Sequence, residues 1–197
     1  MSSSSSTVSP VATSASSKGA AAALAVGSVL SVIGSIAFMS LNGGTPRETF
    51  SSPVNTVGGV AATAGAVMLA LALVRWRTTL PTWALTGASA ALVIVAANAW
   101  FMAIGIRAIS DHTSNQEFDR LTHEAPWLFG MQAPVAVLGL VSYIALAVAG
   151  WRQRSLPKAS SVLLVLAGLA SVWPVYPPGL LLASIALFIT SRSVARS

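Results

Sequence analysis

Asp111, His112, Glu117, His123 and Glu124 are the side chains whose chemistry goes beyond packing, and all fall within one stretch, Arg107 to Pro126. That stretch holds four of the chain's five acidic residues and both histidines. Imidazole and carboxylate together suit zinc or another divalent ion, and a histidine beside an acid can move a proton near neutral pH. The spacing does not favour an assembled metal centre: there is no HExxH, and His112 and His123 lie too far apart to meet on neighbouring helical turns. No nucleophile has a visible base, and no GxSxG, Walker loop or dinucleotide fingerprint occurs. Cysteine is absent, which removes disulfides, thiolate metal sites and thiol redox catalysis. The sequence predicts no catalytic residue, no metal and no cofactor, and leaves these five side chains as candidate ligand-binding groups.

Two further candidates, Asn98 and Gln132, are strongly polar amides inside apolar runs on either side of that stretch. Each sits one to two turns inward, so they are expected at a common depth. A hydrogen bond between them would satisfy both amides and fix the two helices in register; a ligand site is the alternative. Pro134, just past Gln132, is expected to bend its helix and free backbone carbonyls.

The elements that position these groups follow from composition. Hydrophobic residues make up 54% of the chain, charged residues only 8%, and the mean hydropathy is +0.75, so the fold class is an all-α integral membrane bundle. Residues 1–17, rich in serine, read as a disordered cytoplasmic tail. The remainder, 18–197, reads as one transmembrane domain with spans near 19–41, 56–74, 81–104, 127–150, 157–173 and 178–194, and an outer loop over 105–126. The last two spans are short and joined by a proline-rich hairpin around Trp173–Gly179, where three prolines remove backbone donors. A re-entrant pair is the alternative there. Within the loop, Ser114 and Glu117 have capping-box spacing and predict a helix over 115–124, with Phe118, Leu121 and Ala125 on its apolar side.

Six spans would place Lys18, Arg75, Arg77, Arg152, Arg154, Lys158, Arg192 and Arg196 on one side and every acid on the other. The basic side is the cytoplasmic one, so both termini are expected inside a cell membrane and the acidic loop outside. A net charge of +6 distributed over span ends serves topology, and nucleic acid is not an expected partner. The bilayer is the expected partner, with a membrane protein or a second copy of the chain as candidates. Small residues at helical spacing predict close helix contacts: Gly27, Ser31 and Ser35; Gly58, Gly59, Ala62 and Gly65; Ser161, Gly168 and Ser171. The functional expectation is a non-enzymatic module that binds or conducts a small or lipidic ligand, or scaffolds a partner. The alternative is a membrane enzyme acting on a lipid-linked substrate through the loop's histidines and acids.

Overall fold

A computed structural model of the chain describes residues 10–40, 45–76, 79–124, 132–172 and 177–196. These residues form helices and no strand. In chain order they are α1 (Pro10–Met39), α2 (Pro46–Ser51), α3 (Pro53–Arg75), α4 (Thr82–Trp100), a π-helical segment (Phe101–Ile106), α5 (Arg107–His112), α6 (Asn115–Glu124), α7 (Gln132–Arg152), α8 (Lys158–Ala170) and α9 (Pro177–Arg196). Five segments are long and apolar enough to cross a membrane: Lys18–Met39, Pro53–Arg75, Thr82–His112, Gln132–Arg152 and Pro178–Ala195. Helix α8 is apolar but has only 13 residues. At 1.5 Å per residue that is roughly 20 Å, short of a hydrocarbon layer of about 30 Å.

These five long segments and α8 form a closed ring. Each of α1, α3, α4, α7, α8 and α9 packs on its neighbour in the chain, and α1 also packs on α9. Neighbours run antiparallel. Gly27 abuts Gly65 and Leu69 while Gly34 abuts Gly58 and Ala62, so α3 descends as α1 rises. Thr63 against Ala96 and Ser89 against Ala70 set the opposite sense for α4. Gly168 meets Leu140 and Ile144, and Gly150 meets Leu156, which fixes α8 against α7. One end of the ring therefore collects Lys18, Arg75, Arg152 and Arg192, and the other carries α2, α5 and α6.

Small residues set the spacing between helices, as their periodicity predicts. A Cβ on Gly34 would stand 2.5 Å from the Ala62 amide nitrogen and the Gly58 carbonyl oxygen, so α1 and α3 touch backbone to backbone. In lipid, where the surroundings are as apolar as the core, this close approach supplies the attraction that hydrophobicity supplies in water. Two hydroxyls add cross-helix bonds: Thr63 Oγ1 lies 3.3 Å from the Ala96 carbonyl oxygen, and Ser89 Oγ 3.1 Å from that of Ala70. Large side chains including Leu24, Leu69, Leu92, Tyr143, Leu164 and Leu187 are fully buried and form the core.

Two boundaries differ from the sequence expectation. Residues 10–17, expected within a disordered tail, are the first turns of α1, while residues 1–9 lie outside the described residues. The third span does not stop at Ile104: its helix runs on through the π segment to His112. Asn98, Met102, Ile106 and Ser110, four apart, are all buried there beside Ala99 and Ala103, and the wider π turn keeps that four-residue column on the packed side. Pro134 is the third described residue of α7, and the residues before Gln132, on which the expected bend depends, lie outside the described residues. Trp127 and the interval 173–176 of the expected hairpin lie outside the described residues.

Candidate functional site

The acidic end is a cap built from α2, α5 and α6. Helix α2 falls where the sequence shows only loop punctuation, yet its signal is present: Thr45-Pro46-Arg47-Glu48 is a capping box with proline at the first helical position. The Thr45 backbone N–H donates to Glu48 Oε2 at 2.9 Å, and Thr45 Oγ1 accepts from the Glu48 N–H at 3.3 Å. The Thr45 backbone bond is the largest cause holding the Glu48 carboxyl below its ordinary range, with the Thr45 side chain and Arg47 adding to it. Arg47 ties the cap together, its Nε donating to the Ser110 carbonyl oxygen at 2.8 Å and its Nη1 to Asn115 Oδ1 at 3.5 Å. Phe38, Phe50 and Phe118 form an aromatic ladder beneath it, with ring centroids 6.4 Å and 6.1 Å apart.

Helix α6 begins where expected, with Ser114 Oγ accepting from the Glu117 N–H at 3.2 Å. Phe118 is buried and Leu121 half-buried, so the stripe faces inward and the charges point to solvent. That orientation decides the fate of the five polar candidates. Asp111 pairs with Arg107 at 3.4 Å on α5, and His112 is exposed at the end of that helix. Glu117 is exposed in the first turn of α6, and Glu124 lies 3.8 Å from Arg120. His123 Nδ1 lies 2.8 Å from the Asp119 carbonyl oxygen, which can only accept, so the bond places a proton on Nδ1. Each residue engages a neighbour on its own helix or none, and among the described residues no three histidines or acids converge as metal ligands.

Asn98 is buried at 1% exposure and its Nδ2 has no hydrogen-bond partner. Gln132 is half-buried at the start of the described part of α7, and no hydrogen bond joins the two amides. The register that the sequence suggested does bring their helices together, since α4 packs on α7 with Gly87 beside Ser142. Sharing a depth is not sufficient; the side chains must also point at each other.

Among the described residues, clefts open at the basic end. One of about 830 Å³ opens between α1, α3 and α4, with Met68, Leu71 and Leu85 on its apolar walls and Arg75, Thr82 and Thr86 among its polar lining. Gly19 also lines it, and a Cβ there would meet nothing within 4 Å. A second, of about 380 Å³ and almost wholly apolar, lies between α7 and α8 beside Trp151 and Arg152. The sequence reading missed the larger cleft because its walls come from three helices, and only Arg75-Trp76 next to Pro81-Thr82 hinted at it. Comparison with protein-family models, with curated proteins and with solved structures finds no match to this chain. The fold and the apolar helices define its class: an all-helical, multi-pass membrane protein.

Proposed function

We propose that this chain is a non-enzymatic membrane module that binds a lipidic, amphipathic ligand in the cleft between α1, α3 and α4. The observation that carries the reading is the cleft's lining, with apolar walls for a chain and one cation and two hydroxyls for a polar head. No carboxylate among the described residues pairs with Arg75, which leaves its donors for an anionic group. Substituting Gly19 by leucine tests it. The side chain enters open space, and helix propensity gains about 0.8 kcal/mol over glycine, so the fold is expected to hold. Native purification followed by mass analysis is expected to show co-purified amphiphile reduced roughly tenfold, an affinity loss of about 1.4 kcal/mol. Unchanged retention would overturn the assignment of the cleft.

The same reading places six crossings in a cell membrane, with the basic end and both termini cytoplasmic. Lys18 and Arg192 line one cleft, so the first and last helices end on the same side, which supports an even number of crossings. Helix α8 then counts as a crossing despite its length, through local thinning of the bilayer. In this cysteine-free chain, Asn115→Cys is expected to react with an impermeant thiol reagent from outside and Gln153→Cys only from inside. Labelling of both from one face would overturn the topology.

A further inference from the structure

The seam between α1 and α9 closes the ring by joining its first helix to its last, which no direct connection links. Lys18, Ala21, Ala22 and Ala25 of α1 face Phe188 and Arg192 of α9 across a cleft of about 360 Å³. The Arg192 guanidinium lies over the Phe188 ring, 5.0 Å from its centroid, which occupies its flat face and leaves its edge donors free. Neither Lys18 nor Arg192 pairs with a carboxylate among the described residues, and the acidic side chains, Glu48, Asp111, Glu117, Asp119 and Glu124, lie on α2, α5 and α6 at the other end of the bundle. Two cations from two helices thus share an apolar-floored cleft at the membrane boundary, with no carboxylate paired to either among the described residues.

We infer that an anionic phospholipid occupies this seam, its phosphate bridging Lys18 and Arg192 and one acyl chain lying along Ala21, Ala22 and Ala25, so that the lipid staples the first helix to the last. Phosphate is the anion a guanidinium edge and an ammonium recognise together, and the alanines leave room for a chain where larger side chains would not. The inference is independent of the cleft between α1, α3 and α4, since it uses none of that cleft's residues.

The full chain in nanodiscs of phosphatidylcholine, with and without phosphatidylglycerol, provides the test. Native mass spectrometry would count retained lipids, and tryptophan fluorescence would follow thermal unfolding. Each basic group near an anionic surface is worth about a fivefold preference, so Lys18→Gln with Arg192→Gln is expected to lower selective retention of phosphatidylglycerol about 30-fold. The double variant is also expected to lose the rise in unfolding temperature that phosphatidylglycerol gives the native chain. Lys18→Arg with Arg192→Lys should keep both effects. Equal retention of the two lipids by the native chain, or equal retention by native chain and double glutamine variant, would overturn the inference. So would an equal stabilisation by inorganic phosphate in phosphatidylcholine alone, which would assign the seam to a free anion.

Discussion

Gly34→Ala is expected to destabilise the bundle by roughly 1–3 kcal/mol, the usual cost of overpacking a tight contact. Propensity alone predicts the opposite sign, because alanine is favoured over glycine inside a helix by about 1 kcal/mol. Packing wins because the atoms in the way are backbone. The new methyl would lie 2.5 Å from the Ala62 nitrogen and the Gly58 oxygen and 2.7 Å from the Ala62 Cβ, so no side-chain rotation relieves the contact and α1 must move away from α3. Separating those helices also weakens neighbouring contacts, where Gly65 accommodates Ser31 and Gly58 accommodates Ala37. The internal control is Gly19→Ala on the same helix, where an added Cβ meets nothing within 4 Å and the propensity gain should appear undiminished. Thermal unfolding of the two variants in one mild detergent decides the matter. If Gly34→Ala matched Gly19→Ala, the backbone contact between α1 and α3 would not be what holds them.

The small residues of that contact were legible in the sequence in part, without Gly34 and without the helices they join, and the contrast with what was not is instructive. Gly27, Ser31, Gly58, Ala62 and Gly65 recur at helical spacing, and spacing along one helix is a local property that folding preserves. The apolar runs and the helix over 115–124 were readable for the same reason. The extension of the third span to His112 was not, because Arg107 and Asp111 resemble loop residues until Arg107 is seen donating to Thr56 and pairing with Asp111. Helix α2 was written in the chain as Thr45 to Glu48, but prolines on both sides made it resemble punctuation. The polar candidates are a different case: five suitable side chains fall in one stretch, while the inward stripe of Phe118 and Leu121 turns the charges of α6 to solvent, where they meet partners on their own helix. The basic-end clefts depend on how α1, α3 and α4 are placed in three dimensions, which no single stretch records.

Tyr143→Phe is expected to raise stability, by about 1–3 kcal/mol, the cost of keeping a buried hydroxyl without a partner. The ring is fully buried at 1% exposure and its hydroxyl makes no hydrogen bond. Phenylalanine keeps the ring's shape and removes only the unpaired oxygen, so neither a cavity nor a new clash offsets the gain. Lipid surroundings sharpen the expectation, since the oxygen is buried in the bundle and meets no polar partner there. The opposite result is equally informative. Loss of stability in detergent would mean that a water or the polar head of a bound molecule meets this hydroxyl inside the ring, and radiolytic footprinting at Tyr143 would then distinguish an ordered water from a dry ligand contact. Asn98, with its own unpartnered Nδ2 at 1% exposure, sits on α4 of the same ring. A stabilised phenylalanine variant would therefore leave Asn98 as the interior group to probe for a polar ligand, whereas a destabilised one would make both side chains candidates for a single hydrated core.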